Sequence, residues 1–504
     1  MPQRSMVVAA LVRGVAGVCS LLVLAAPVRA AAPAPAGCNP RWPVVAHHAG
    51  GERVSSPGPL PIPCATETGY ATSETTIAAT PSGSLFFSPA NSENSIARSS
   101  DNGASWSLAD PQQIQYTSLW NTVDPDVIVD RRTGRVFWVR ATGDLRTAPI
   151  LVDSSPLGWQ TATAIAYAHG FQVYSSTDNG HNWVTADYQH EFTGDWEKIY
   201  VGPPAAGAPQ PSGYPDVVYM CANAAFEVSG PGRDCYRSLD GGRTFTLVGY
   251  VLPSASSPHD VCEPLAGGAG GGVGSDGAFY QPQSCQGGSW VAVSHDEGAS
   301  WSWLPITGAP GTKGLISGLQ LAIDRANNLY ALWTDGSQAE LSISRNGGKT
   351  WGHPLGVAAP GLRQVDLPAL TADAAGHVGV AYYGSADAPA KTLTAYITET
   401  SDALSPRPLF YSAALNDPAH PIFRDYAGSD SPRADFIGVT YDRSGNVWTG
   451  LVKQLGPPTA SSTVPTTGYV GTLEPAPASS HRRTRRRHQR THAPLRRSAT
   501  AFAG

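Results

Sequence analysis

The sequence predicts an all-β chain assembled from repeated antiparallel units, and three observations carry that expectation. Charged residues make up only 14% of the 504 residues, while Gly (54) and Pro (43) are abundant. An ordinary soluble domain carries about 25% charged residues, and a chain rich in Gly, Pro, Ser and Thr favours turns and short strands over helices. The second observation is an octet of the form Ser-x-Asp-x-Gly-x-x-Trp that occurs five times: SSDNGASW (Ser99–Trp106), STDNGHNW (Ser176–Trp183), SLDGGRTF (Ser238–Phe245), SHDEGASW (Ser294–Trp301) and SRNGGKTW (Ser344–Trp351). The third is that paired apolar runs separated by turns fill the spaces between octets.

The octet has the chemistry of a hairpin. A short apolar run precedes each copy, such as FQVYS or WVAVS. The Asp or Asn side chain can accept hydrogen bonds from backbone N–H groups across the turn, Gly supplies a positive φ, and the closing Trp or Phe starts the next strand and buries its ring. Asp101, Asp178, Asp240, Asp296 and Asn346 occupy the central position and are expected to be structural.

These five octets resemble the Asp-box, or BNR repeat, of secreted bacterial sialidase-like β-propellers. The resemblance implies a single propeller of four-stranded antiparallel blades, each box joining the third and fourth strands of a blade on the outer rim. The units read in order as TTIAATPSGSLFFSPA before the first box, PDVIVDRRTGRVFWVRA opening the second, EKIYVGPP the third, DVCEPL…GAFYQPQS the fourth and GLQLAIDRANNLYALWT the fifth. LPALTADAAGHVGVAYYGS opens a sixth unit that has no box, and DFIGVTYDRSGNVWTGLVK a seventh that lacks an outer strand. WPVVAHH (Trp42–His48) is expected to supply that strand and close the ring. Seven blades are favoured, with six as the alternative.

The expected organisation is a signal peptide over 1–30, a linker over 31–41, the propeller over 42–474 and a disordered Arg-rich tail over 475–504. Arg4 and Arg13 precede the apolar run Val15–Pro27, and small residues end at Ala30, the pattern of an export signal. Export places the protein outside the cell, secreted or associated with the cell surface. An exported chain with six remaining cysteines reads as disulfide-bonded, and neighbouring pairs are favoured: Cys38–Cys64, Cys221–Cys235 and Cys262–Cys285. The tail HRRTRRRHQRTHAPLRR (His481–Arg497) holds eight Arg, which leaves the body with a net charge of about −16. An acidic body argues against nucleic acid as a partner of the propeller; the tail suits an anionic cell-wall polymer. GVGSDG (Gly272–Gly277) lacks the strand–helix context of a dinucleotide site and reads as a turn.

Acidic residues stand where each unit's first strand begins: Glu74, Asp124, Asp126, Asp195, Glu197, Asp260, Asp366 and Asp435, with Gln320 in the fifth unit. In a propeller these positions gather at one mouth of the central channel. Crowded carboxylates there could provide a proton donor and a base or hold Ca2+, although no cofactor is required. Equally, each could cap its strand by accepting from the backbone of the adjoining blade. The resemblance implies three Arg that clamp a substrate carboxylate, a Tyr nucleophile assisted by Glu, and an Asp acid/base. Its early Arg-Ile-Pro motif is absent. The catalytic candidates are Asp126, Asp260, Asp366 and Tyr426; the substrate-binding candidates are Arg363, Arg424 and Arg433. Two functions stand open: a glycoside hydrolase of the exo-α-sialidase type acting on extracellular glycans or glycoconjugates, and a non-catalytic propeller that binds carbohydrate or protein. A monomer is expected in either case, and the insert TAPILVDSSPLGWQTATA is a natural contact loop for the second.

Overall fold

A computed structural model describes residues 35–89, 95–111, 120–121, 124–144, 148–155, 158–164, 167–186, 189–190, 194–224, 232–252, 269–285, 288–311, 319–424, 436–456 and 465–475. Seven sheets follow one another along the chain as the blades of a β-propeller, antiparallel except where Ala269–Gly270 adds a parallel strand beside Gln320–Leu321 of blade 5. Blade 1 runs Thr76–Ala79, Leu85–Ser88, Ala97–Ser99 and Ser107–Leu108, from the axis outward. The first strands of blades 2 to 7 are Asp126–Val129, Gly194–Gly202, Gly272–Val273, Gln320–Ile323, Gln364–Ala372 and Gly438–Tyr441. The first strand of blade 4 therefore lies within GVGSDG, of which only the remainder is a turn. The DVCEPL segment expected to open that blade lies outside the described residues.

Ring closure differs from expectation. The outer strand of blade 7 is Ile62–Glu67, which pairs antiparallel with Thr466–Glu474. Val44–His48 instead adds a fifth strand to blade 6, pairing with Leu409–Ala414. Both N-terminal runs are apolar, and strand partnership across some 400 residues is not written in local pattern. Cys64 of the closing strand is bonded to Cys38, and Cys221 to Cys235 across the second and third strands of blade 3. The pairing of Cys262 lies outside the described residues. The TAPILV insert forms a hairpin, Ala148–Ser155 with Gly158–Ala164, between the second and third strands of blade 2.

The core is divided by the ring. Each gap between adjacent blades holds its own cluster: Phe86 with Trp138 between blades 1 and 2, Val173 with Met220 between 2 and 3, Tyr219 with Phe279 between 3 and 4. Leu321 with Val291 fills the next gap, then Leu332 with Val380, Tyr383 with Leu451, and Phe87 with Trp448 at the junction of blades 7 and 1. Both faces of a blade are thus buried, so strands such as Val378–Ser385 are almost continuously apolar or buried instead of alternating.

The five octets form the turns between third and fourth strands. In each, the Ser hydroxyl donates to the central Asp or Asn and accepts from the Gly N–H, at 2.7–3.0 Å. The same Asp or Asn accepts from the backbone N–H four residues on, at 2.8–3.0 Å. Blade 6 carries a reduced form that the sequence reading passed over: Thr400 Oγ1 donates to Asp402 (2.7 Å), which accepts from Leu409 N (2.9 Å). Thr replaces Ser there, and neither Gly nor Trp follows at the octet spacing.

Candidate functional site

The axial channel is a cavity of about 290 Å³ lined by first-strand residues of six blades, among them Thr76, Asp126, Lys198, Gln320, Leu370 and Gly438, and by Gly270 and Gly271 just before the first strand of blade 4. Its wall is polar where the strands begin and aliphatic beyond, through Ile77, Val127, Leu321 and Leu370.

Asp126 sits at the polar end and is buried. Its Oδ2 accepts from Ile199 N of blade 3 at 3.0 Å, and its own strand is tied to blade 1 by Val127 N donating to Thr76 Oγ1 at 3.1 Å. Asp124 repeats the arrangement, accepting from Trp196 N at 3.2 Å. Burial pushes the Asp126 carboxyl above the usual range, opposed by Lys198 and by the amides of Ile199 and Val127. These two carboxylates join blade 2 to the backbone of blade 3.

Two non-glycine residues at this mouth have left-handed backbone, Trp196 (φ 58°) and Leu367 (φ 49°). Each marks a bulge where its first strand slips register against the second. The Trp196 bulge turns the indole across the axis, where it meets Phe436 of blade 7 edge-on at 5.8 Å. Lys198 Nζ lies 4.0 Å from the Phe436 ring centroid and donates to Asp124 O at 3.4 Å. Blades 3 and 7 are not neighbours, so this aromatic and cationic group bridges the mouth. At the other end Arg131 of blade 2 reaches over the axis to Asp373 of blade 6 and donates to Tyr441 O of blade 7 at 2.7 Å. Arg325 of blade 5 pairs with the same carboxylate at 2.6 Å. None of Trp196, Lys198, Phe436, Arg131 and Asp373 was singled out from sequence as a bridge across the axis, because their meeting depends on closure of the ring.

The other described candidates lie on blade 6. Asp366 and Arg363 belong to blade 6, separated from Asp126 by blades 7 and 1. Asp366 is half-buried and accepts from Gln364 Nε2 at 2.7 Å; burial raises its carboxyl above the usual range and that hydrogen bond opposes the rise. Arg363 is exposed. Arg424 lies in a two-residue strand against Thr392 and Leu393, also on blade 6. Asp260, Tyr426 and Arg433 lie outside the described residues. Among the described residues, no three His, Cys, Asp or Glu side chains gather as a metal site would need.

No family model matches the chain, and no curated protein matches it. Solved structures similar to it include a protein of unknown function from Dyadobacter fermentans DSM 18053 (12% identity, 81% of this chain and 97% of that one, TM-score 0.40). A Hadza microbial sialidase, Hz136, is 16% identical over 68% of this chain and 66% of that one, with a TM-score of 0.39. A fucose-specific lectin from Aleuria aurantia is 11% identical over 70% of this chain and 99% of that one, with a TM-score of 0.38. Such distant likeness bears on neither the site residues nor a reaction.

Proposed function

We propose that this chain is a non-catalytic binding propeller for extracellular glycan. The observation that supports this reading best is the role of Asp126. A general acid or base must reach a substrate proton, whereas this buried carboxylate faces the Ile199 amide of the next blade. Asp124 is held likewise, and the Trp196–Phe436 contact spans the mouth above them.

The test is turnover by the full chain against fluorogenic sialosides, neutral glycosides and uronic-acid glycosides, with and without Ca2+. The expected result is no hydrolysis above buffer in any arm. Hydrolysis of a sialoside that vanishes in Tyr426→Phe would restore the hydrolase reading, and Ca2+-dependent hydrolysis would also bring back a metal.

A further inference from the structure

Blade 5 has the shortest outer strand of the three central blades. Leu355–Gly356 pairs only with Leu341 and Glu340, whereas the outer strands of blades 3 and 4 run Thr246–Leu252 and Ser302–Pro305. A groove of about 670 Å³ runs along the edge of blade 5 beside Leu355–Gly356, bounded by Gly308 and Pro310 from the end of blade 4 and by the N-terminal turn at Ala49–Gly50. That volume falls within the range of small-molecule sites, and it is more than twice that of the axial channel.

The groove's polar groups are fixed in orientation. Gln338 Oε1 accepts from Ala339 N (3.0 Å) and Ala358 N (2.7 Å), which settles the amide so that its N–H2 is the free end. The amide lies where a side chain at 356 would stand: a Cβ there would come within 3.1–3.2 Å of it. Asp335 Oδ1 is taken by the Ser337 and Gln338 amides and the Ser337 hydroxyl, leaving Oδ2 available. Glu340 is half-buried and has no hydrogen-bond or ion-pair partner among the described residues. Burial and then Asp335 hold its carboxyl above the usual range, with His353 opposing. Pro310, Pro354 and Leu355 supply apolar wall.

This set selects a ligand class. An anionic sugar would face two carboxylates without a countering Arg or Lys in the lining. A cationic ligand would leave the Gln338 N–H2 without an acceptor. Hydroxyl groups donate to Asp335 and Glu340 and accept from Gln338, while the C–H faces of a sugar ring rest on proline and leucine. We infer that the blade 5 groove, through Asp335, Gln338, Glu340 and His353, binds a neutral, hydroxyl-rich glycan. The inference rests on the binding reading above and gives it a location.

The experiment is titration of the full chain with a panel of neutral oligosaccharides, sialylated counterparts, and a basic peptide with the sequence of residues 481–497. The expected result is binding of a neutral oligosaccharide that weakens about ten-fold or more in Glu340→Gln and in Gln338→Leu, as loss of a hydrogen bond to a charged or fixed group implies, while Asp387→Asn, at an exposed residue outside the groove, binds as the unaltered chain does. Unchanged folding of the variants is checked by thermal unfolding, and Pro310→Arg, which fills the groove from its rim, gives an independent block. Neutral-glycan binding that all three groove variants leave intact overturns the groove and keeps the binding propeller. Preference for the sialylated glycans or for the basic peptide overturns the ligand class. Binding to none of the panel overturns the inference, and hydrolysis in place of binding overturns the reading beneath it.

Discussion

Asp240 illustrates how one carboxylate holds a hairpin. Its Oδ1 accepts from Ser238 Oγ, Arg243 N and Thr244 N, and its Oδ2 from Thr244 Oγ1 at 2.7 Å. Burial works to raise its pKa, but these hydrogen bonds together hold it below the ordinary aspartate value, as they do at Asp101, Asp178 and Asp296. A depressed folded pKa contributes stability above the unfolded pKa of about 3.9 that is lost as pH falls through the lower folded value. Asp240→Ala is therefore expected to cost about 1–3 kcal/mol at neutral pH, and denaturant titrations should show the difference shrinking as pH falls below the unfolded value of about 3.9. An equal cost at both pH values would contradict the account. Gly180 acts differently. Its φ is +75°, and a Cβ would lie 2.7 Å from Phe86 Cε1 of blade 1. Gly180→Ala is expected to destabilise by about 1–3 kcal/mol through overpacking of that gap; a neutral result would show that the two blades yield easily.

At the scale of strands, blades 6 and 7 set an upper pH limit. Glu399 of blade 6 and Glu474 of blade 7 face one gap, and burial, with Glu474 adding to it, raises Glu399 to about 7. A raised folded pKa contributes stability that is complete below the unfolded value and lost as pH rises through the folded one. The unfolding temperature should thus fall as pH rises between about 4.5 and 7 and level off above that, and Glu399→Gln should flatten that decline. An undiminished decline in the variant would place the titration elsewhere. The strands also show where sequence stops being informative. The octets were legible because their bonds span four residues. The closing partner of Thr466–Glu474 was not, since Val44–His48 and Ile62–Glu67 are both short apolar runs and register is fixed only by the assembled sheet. Thr400–Asp402 was not legible because only the Asp of the octet survives, with Thr standing for Ser. Asp126 was located correctly at the start of a first strand, but sequence left its role open: a catalytic acid and a strand clasp both call for a carboxylate there.

For the whole molecule, closure of seven blades places residues from distant segments against one another across the axis. Trp196 meets Phe436 at one mouth, and Arg131 meets Asp373 at the other. These contacts make the axis part of the scaffold, and the proposed binding reading accordingly puts recognition at the rim. The most direct test is Asp126→Ala in the full chain, followed by thermal unfolding and by glycan binding and turnover side by side. The account predicts a loss of about 1–3 kcal/mol, the cost of leaving the buried Ile199 N–H without its acceptor, with glycan affinity retained and no turnover to lose. Wild-type turnover abolished by Asp126→Ala at unchanged stability would make Asp126 a catalytic residue and refute the account.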